Sequence, residues 1–121
     1  MAREMVSILH GTFAQPVTIE RQSWQPPVDV YRVVDGWLLK FELAGVASDD
    51  VTVRLERSGV FVRGVRLDRC LEVGCSVHRM EIAYSVFERH VDLPEDLSRA
   101  SLRCEYSNGM LLLRITRASK I

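Results

Sequence analysis

From Val28 onward the chain alternates apolar and polar residues with a period of two, and this pattern constrains its fold more than any other feature. Successive side chains of a β-strand point to opposite faces, so such a run predicts a strand with one buried face. One run places four apolar residues on the same face: Trp37, Leu39, Phe41 and Leu43. Further strand-like runs begin at Val51, Val60, Tyr84, Leu102 and Met110. Short strands at regular spacing, without a convincing long helix, predict an all-β, antiparallel, immunoglobulin-like β-sandwich of seven to nine strands.

Turn residues separate these runs. Asn108-Gly109 stands between two apolar runs and continues into Met110-Leu111, and Asn-Gly in that setting is the strongest short-range hairpin signal. Asp35-Gly36 predicts another hairpin turn, built from residues that tolerate positive φ. The segment from Leu67 to His78 has mixed polarity and predicts a loop with at most one short strand.

The organisation predicted is an N-terminal arm at residues 1–23, a sandwich at residues 24–117 and a short tail at residues 118–121. In the arm, Met5, Ile8, Leu9 and Phe13 recur at three- and four-residue steps, which would place them on one helical face. An isolated helix this short is marginal in water.

The arm's apolar residues permit two interpretations. They either pack onto the sandwich or form an exposed, adaptable surface that binds other proteins or holds an assembly together. The sequence leaves both open for the five residues concerned, which are Met5, Val6, Ile8, Leu9 and Phe13.

Charge and length exclude several functions. The 121 residues suit one domain with a real core, and 16 basic residues balance 16 acidic ones. A balanced chain lacks the basic surplus that nucleic-acid binding needs, and it has little self-repulsion to oppose self-association. Its apolar runs are far shorter than the roughly 20 residues that cross a bilayer. Three cysteines, an odd number, and a first segment unlike a secretory signal predict a reducing cytoplasm.

A metal site is not expected. Cys70, Cys75 and His78 form the one cluster of metal-ligand residue types, but their spacing differs from the Cys-x2-Cys of structural zinc sites. We interpret Cys70 and Cys75 as loop thiols that could oxidise, and Cys104 as a small buried strand residue.

Catalysis is not expected either, and neither is a cofactor. His10, His78 and His90 are scattered, and no Gly-x-Ser-x-Gly or phosphate-binding glycine loop accompanies them. Several carboxylates lie beside arginines or at strand ends, where solvated charge pairs are the simpler interpretation. They are Glu81, Glu88, Asp92 and Glu95.

Four segments, in order between Trp24 and Thr116, resemble the small heat-shock protein (alpha-crystallin domain) family. Residues 27–31 (Pro-Val-Asp-Val-Tyr) are similar to its opening strand, and residues 41–46 (Phe-Glu-Leu-Ala-Gly-Val) to its Glu-Leu-Pro-Gly-Val segment. Residues 78–89 resemble its Arg-x-Glu...Tyr-Gly-x-Phe-x-Arg block, and residues 104–111 its Ala-x-x-x-Asn-Gly-Val-Leu string. The chain departs from the pattern at Ala44, Ser85, Cys104 and Thr116.

The resemblance implies a dimer-based oligomer. In bacterial members the loop before the strand matching Tyr84 pairs with the opening strand of a partner, which here comprises Asp29, Val30, Tyr31 and Arg32. The arginine matching Arg89 typically meets an acidic group near that contact. We expect Asp68 or Glu72 to supply the acid.

The resemblance also implies a groove between two strands, in which family members dock an Ile-x-Ile/Val motif from a C-terminal extension. Its residues here are Val51, Val53, Leu55, Leu102 and Cys104.

After Ile115 the sequence offers Ile121 as one apolar residue for that groove, where two are needed. We therefore expect a dimer or a few dimers held by the arm.

The function implied is that of a cytoplasmic holdase, which captures unfolded or partly unfolded client proteins without ATP. The alternative is an adaptor or co-chaperone similar to CS-domain proteins, which binds one specific folded partner. No enzyme activity, nucleic-acid partner or membrane partner is expected.

Overall fold

The computed structural model describes residues 6–9, 24–68 and 72–119, and strands dominate these ranges. One short 3-10 helix, Ser48–Asp50, leads into the fourth of the described strands. The strands are β1 Ser7–Leu9, β2 Val28–Val33, β3 Gly36–Glu42, β4 Val51–Glu56, β5 Gly59–Val65, β6 Val86–Asp92, β7 Ser101–Ser107 and β8 Met110–Thr116. The prediction of an all-β sandwich is confirmed.

Two four-stranded sheets make up the sandwich in the described ranges. The first sheet has the order β1-β4-β5-β6, and the second sheet has the order β2-β3-β8-β7. Neighbouring strands are antiparallel except that β1 runs parallel to β4. Strand β2 is an edge of the second sheet, and β6 pairs with β5 at the far side of the first sheet from β1.

The core lies between the sheets and is built from the period-two faces. Trp37, Leu39, Phe41 and Leu43 are all buried, as their alternation predicts. They meet the inward faces of the other strands, whose fully buried members include Val51, Val53, Val60, Val62, Phe87, Leu111, Leu113 and Ile115. Burying each such side chain stabilises the fold by about 1.5–3 kcal/mol relative to leaving it exposed.

The turn between β2 and β3 lies one residue earlier than predicted. Val34 and Asp35 form it, and Gly36 is already inside β3, paired with Thr116. Gly36 does not take the left-handed conformation. A Cβ at this position would collide with the carbonyl oxygen of Ile115, so glycine is required here by the close approach of β8.

Asn108 and Gly109 form the turn between β7 and β8, with φ values of 52° and 74°. Positive φ at both central residues suits the tight turn whose twist matches the strands it joins. The Gly109 carbonyl accepts a hydrogen bond of 2.6 Å from the backbone N–H of Leu43. The hydroxyl of Tyr106 lies 2.8 Å from the Leu43 carbonyl oxygen and 2.5 Å from that of Val46. These contacts hold the segment after β3 against the hairpin.

One prediction of local structure was wrong in detail, because the strand expected from Tyr84 begins at Val86. In the arm, the residues whose spacing would suit one helical face do not form a helix where they are described: Ser7–Leu9 is strand β1, because the edge of β4 offers backbone partners that register Ser7 with Thr52. Met5 and Phe13 lie outside the described residues.

Candidate interaction surfaces

The connection between β5 and β6, residues 66–85, exposes more apolar side chain than any other described segment. It contains no strand in its described part, residues 66–68 and 72–85. Its exposed apolar residues are Leu67, Val73, Val77, Met80, Ile82 and Tyr84. Clustered exposed apolar residues mark interaction surfaces. Cys75 is also exposed here.

Arg66 closes the base of the β5–β6 connection. Its Nε donates to the Ala83 carbonyl at 2.8 Å and its Nη1 to the Ala44 carbonyl at 3.0 Å, while its guanidinium lies 3.8 Å from the Trp24 ring centroid. Its backbone N–H also donates to the Ser85 carbonyl at 3.0 Å. The base is therefore tied to the sandwich while the apolar residues beyond it face solvent. This role of Arg66 could not be predicted from the sequence, because its side-chain partners lie 17 and 22 residues further along or back in the chain.

The residues expected to meet a partner chain lie on the edge strand β2. Val30 and Tyr31 are both exposed, and Asp29 and Arg32 are their neighbours on the same strand. Lys40 lies 5.0 Å from the Tyr31 ring centroid on the adjacent strand. An edge strand presents unpaired backbone groups and can accept a further strand.

Arg89 lies on β6 and is partly buried. Its Nη1 donates to the Pro26 carbonyl at 3.4 Å within the chain. Asp68 is half-buried at the start of the β5–β6 connection, and Glu72 is exposed within it. An ion pair between Arg89 and either acid across a dimer stays a prediction.

A cleft of about 740 Å³ opens between β4 and β7. Of the five residues expected to form a groove, Leu55 and Leu102 line it, whereas Val51 and Val53 are fully buried in the core. Cys104 is half-buried and packs against the core. The remaining wall consists of Ile8, Glu56, Arg57, Leu97, Ser98, Ala100 and Ser101.

The arm contributes directly to this cleft. Val6 is only 9% exposed and belongs to the core cluster, and Ile8 is 37% exposed and lines the cleft. Leu9 ends strand β1. Of the two interpretations of the arm, packing therefore applies to Val6, while Ile8 stays partly accessible.

Burial raises the pKa of the Cys104 thiol to about 11.

The other residues considered as catalytic groups or metal ligands do not form one cluster. Cys75 and His78 are exposed in the β5–β6 connection, and Cys70 and His10 lie outside the described residues. His90 stacks on Phe61, and its Nδ1 lies 3.2 Å from Glu56 Oε1. The described residues contain no group of three His, Cys, Asp or Glu placed to hold a metal ion.

Glu95 forms hydrogen bonds with Trp37 and Arg117, two residues that are distant from it in the sequence. It accepts a hydrogen bond of 2.7 Å from Trp37 Nε1 and two of 2.9 Å from the Arg117 guanidinium. The hydrogen bonds from Arg117 and then Trp37 lower the pKa of Glu95. Arg117 also donates its backbone N–H to the Asp35 carbonyl at 2.8 Å. The chain beyond β8 is thereby fixed beside the β2–β3 turn.

Two facing sheets with this strand order, an exposed edge at β2 and an apolar β5–β6 connection define a β-sandwich of the alpha-crystallin type. Residues 29–121 match the Hsp20/alpha crystallin family. The chain therefore belongs to the Hsp20/alpha crystallin family, the small heat-shock proteins, which are chaperones.

Curated relatives agree with this assignment. The chain is 30% identical over 121 residues to the 18 kDa antigen 1 of Mycobacterium intracellulare, covering 98% of this chain and 75% of that protein. It is 30% identical to the 18 kDa heat shock protein of Streptomyces albus G, covering 91% and 72% of the two chains. The match to the 22.0 kDa heat shock protein of Arabidopsis thaliana is 29% identical and covers 76% of this chain but 48% of the longer protein. The chain thus spans about half of that relative.

Solved structures share the fold. Hsp18.5 from E. histolytica superposes with a TM-score of 0.66 at 24% identity, covering 82% of this chain and 93% of the other. HspA from Xanthomonas axonopodis gives 0.64 at 25% identity, covering 79% and 96%. No helix in the described ranges is long and apolar enough to cross a membrane.

Proposed function

We propose that this protein is an ATP-independent holdase that binds non-native proteins and prevents their aggregation. The observation that carries the proposal is the partly accessible apolar wall of the cleft, formed by Ile8, Leu55 and Leu102 on a sandwich with a buried core. Side chains of this kind can contact many unfolded sequences, while the closed core keeps the platform folded. The chemistry needs no nucleotide, metal or catalytic residue, and the role is not enzymatic.

In this proposal residues 24–117 form the platform, residues 1–23 form the arm and residues 118–121 form the tail. The platform assembles as a homodimer in which the β5–β6 connection of one chain lies along the β2 edge of the other. An edge strand and an exposed apolar segment are complementary, because the first offers backbone partners and the second buries side chains. The cleft, with Ile8 and Leu55 on its wall, then remains available for clients.

The exposed free thiol of Cys75 supports a reducing location, and we propose the cytoplasm.

Light scattering of heat-denaturing clients tests the holdase proposal. At near-stoichiometric ratio and without ATP, the protein is expected to lower the scattering of at least two unrelated clients. Leu55→Asp should remove much of this protection, because it places a charge on the apolar cleft wall. Val34→Asp is the matched control, since Val34 is fully exposed at the β2–β3 turn, away from the cleft.

Unchanged scattering with every client would contradict the proposal. Capture of one specific folded partner, without protection of denaturing clients, would instead indicate the adaptor function. Circular dichroism of both variants shows whether the sandwich has remained folded.

A further inference from the structure

The outer face of the second sheet carries two arginines directly opposite each other. Arg103 of β7 registers with Arg114 of β8, and both residues are exposed. Like charges at directly opposed positions of a sheet repel and destabilise it. Among the residues that the structure describes, no hydrogen bond or ion pair engages either guanidinium. The fold therefore holds two positive charges side by side without a partner in the described ranges.

Two hydroxyl residues complete a block of four on this face. Ser101 and Thr116 are the next registered pair of β7 and β8, two positions from the arginines and therefore on the same face. A surface cavity of about 440 Å³ is lined by these four residues together with Asp35 and Leu102. Guanidinium and hydroxyl groups both donate hydrogen bonds. Donors thus make up most of the polar lining of the cavity, and two of them are charged.

Two acidic residues lie near the block. Asp35 lines the cavity at the turn between β2 and β3, and its charge acts on Arg117: hydrogen bonding to Glu95 raises the pKa of Arg117 most, and the charge of Asp35 raises it further. Glu105 lies on the other side of the arginine pair, where it lines a separate, much smaller cavity. Two positive charges and one negative charge therefore line the larger cavity, which keeps a positive charge.

We propose that the two arginines and the two hydroxyl residues form a binding site for a phosphate group of a small solute. A guanidinium group binds phosphate oxygens through paired, parallel hydrogen bonds, and two opposed arginines can hold the group from two sides. A phosphate monoester carries about −1.5 to −2 charges at pH 7 and has three strong acceptor oxygens. It can therefore engage both guanidinium groups and a hydroxyl at once. A carboxylate has one charge and two oxygens, which leaves one arginine without a counter-charge.

The repulsive arginine pair agrees with a binding role, because proteins commonly keep a destabilising arrangement where function needs it. The strand register brings the two arginines together in the folded chain, so a phosphate group held between them binds the folded state and stabilises it. The bound phosphate also offsets the repulsion between the two positive charges. Phosphate binding at this site requires neither a client protein nor the proposed holdase function.

Calorimetric titration and thermal melts test the site. The parent protein is held in a phosphate-free buffer at an ionic strength fixed with chloride, and orthophosphate or glycerol 2-phosphate is added. At ten times its dissociation constant, either ligand should raise the melting temperature by about 5 °C. Acetate at the same concentration should produce a much smaller shift. The phosphate that binds more tightly identifies the source, free phosphate or a phosphate ester.

Substitutions separate binding from a structural role. Arg103→Gln and Arg114→Gln should each weaken phosphate binding at least about tenfold. Without phosphate, each should also raise the melting temperature, because the repulsion between like charges is gone. Arg114→Lys keeps the charge but loses the paired hydrogen bonds, and it should weaken binding by a smaller factor. Arg99→Gln is the matched control, since it removes a positive charge from an exposed position outside the cavity.

Two results would overturn the proposal. The first is a melting temperature of the parent protein that neither phosphate raises, or that acetate raises equally. The second is equal phosphate binding by Arg103→Gln, Arg114→Gln and Arg99→Gln, because the phosphate would then contact other surface charges. The melts of the variants without phosphate show at the same time that each sandwich is folded.

Discussion

The hydroxyl of Tyr106 offers a direct test of what holds the β3–β4 segment to the core. Tyr106 is 2% exposed, and its hydroxyl faces the carbonyl oxygens of both Leu43 and Val46. The single hydroxyl hydrogen therefore has two acceptors within reach. Tyr106→Phe removes this donor with almost no change in volume. The Leu43 carbonyl keeps a second donor, the Val46 N–H at 3.1 Å. The loss therefore falls mainly on the Val46 carbonyl.

The magnitude follows from leaving a buried acceptor unsatisfied. A net hydrogen bond contributes about 1 kcal/mol, and an orphaned buried acceptor costs about 1–3 kcal/mol. We expect the free energy of unfolding to fall by about 2 kcal/mol. For a domain of this length each kcal/mol corresponds to roughly 4 °C, so the melting temperature should fall by about 8 °C.

Thermal and urea unfolding followed by circular dichroism measure the effect, at one fixed protein concentration because self-association would shift the midpoint. Tyr84→Phe is the matched control. The Tyr84 side chain is 37% exposed, so the melting temperature of the Tyr84→Phe variant should differ from that of the parent protein by less than about 2 °C. If Tyr106→Phe melts within about 1 °C of the parent protein, the hydroxyl does not hold this segment and the reasoning is refuted.

Three further predictions concern assembly and pH. In the proposed dimer Arg89 is predicted to pair with Asp68 or Glu72 of the other copy, and Arg89→Ala should then cause dissociation, because removing one member of a buried ion pair costs about 3–5 kcal/mol; a variant that dimerises and melts like the parent would make Arg89 a surface residue. Light scattering coupled to size exclusion should show a dimer or a few dimers, and a stable assembly of a dozen or more subunits would contradict that expectation. Burial raises the pKa of the Cys104 thiol to about 11 from an ordinary 9.0. The stability that the fold gains from burying this thiol in its neutral form is therefore fully present below pH 9 and is lost as the pH rises through 11. Melting temperatures of the parent and Cys104→Ala across this range should therefore show a steeper fall for the parent, and parallel curves would exclude the effect.

Local pattern was enough to predict the sandwich and most of its core. Alternation from Trp37 to Leu43 predicts which face is buried, because adjacent side chains of a strand necessarily point to opposite sides. The turn at Asn108-Gly109 is equally local, since these two residues tolerate the positive φ that it needs. The exposed apolar residues Leu67, Val73 and Val77 were visible in the sequence only as part of a segment of mixed polarity, Leu67 to His78.

Contacts between distant parts of the chain decided the rest. Three- and four-residue spacing in the arm indicated a helical face, but the free edge of β4 supplies backbone partners that make Ser7–Leu9 a strand. Val53 and Leu55 point to the same side of β4, yet the opposing sheet covers Val53 completely and leaves Leu55 at the cleft. Gly36 is needed because of the proximity of Ile115, which lies 79 positions further along the sequence. Periodicity determines which way a side chain points, whereas the packing of the two sheets determines what it meets.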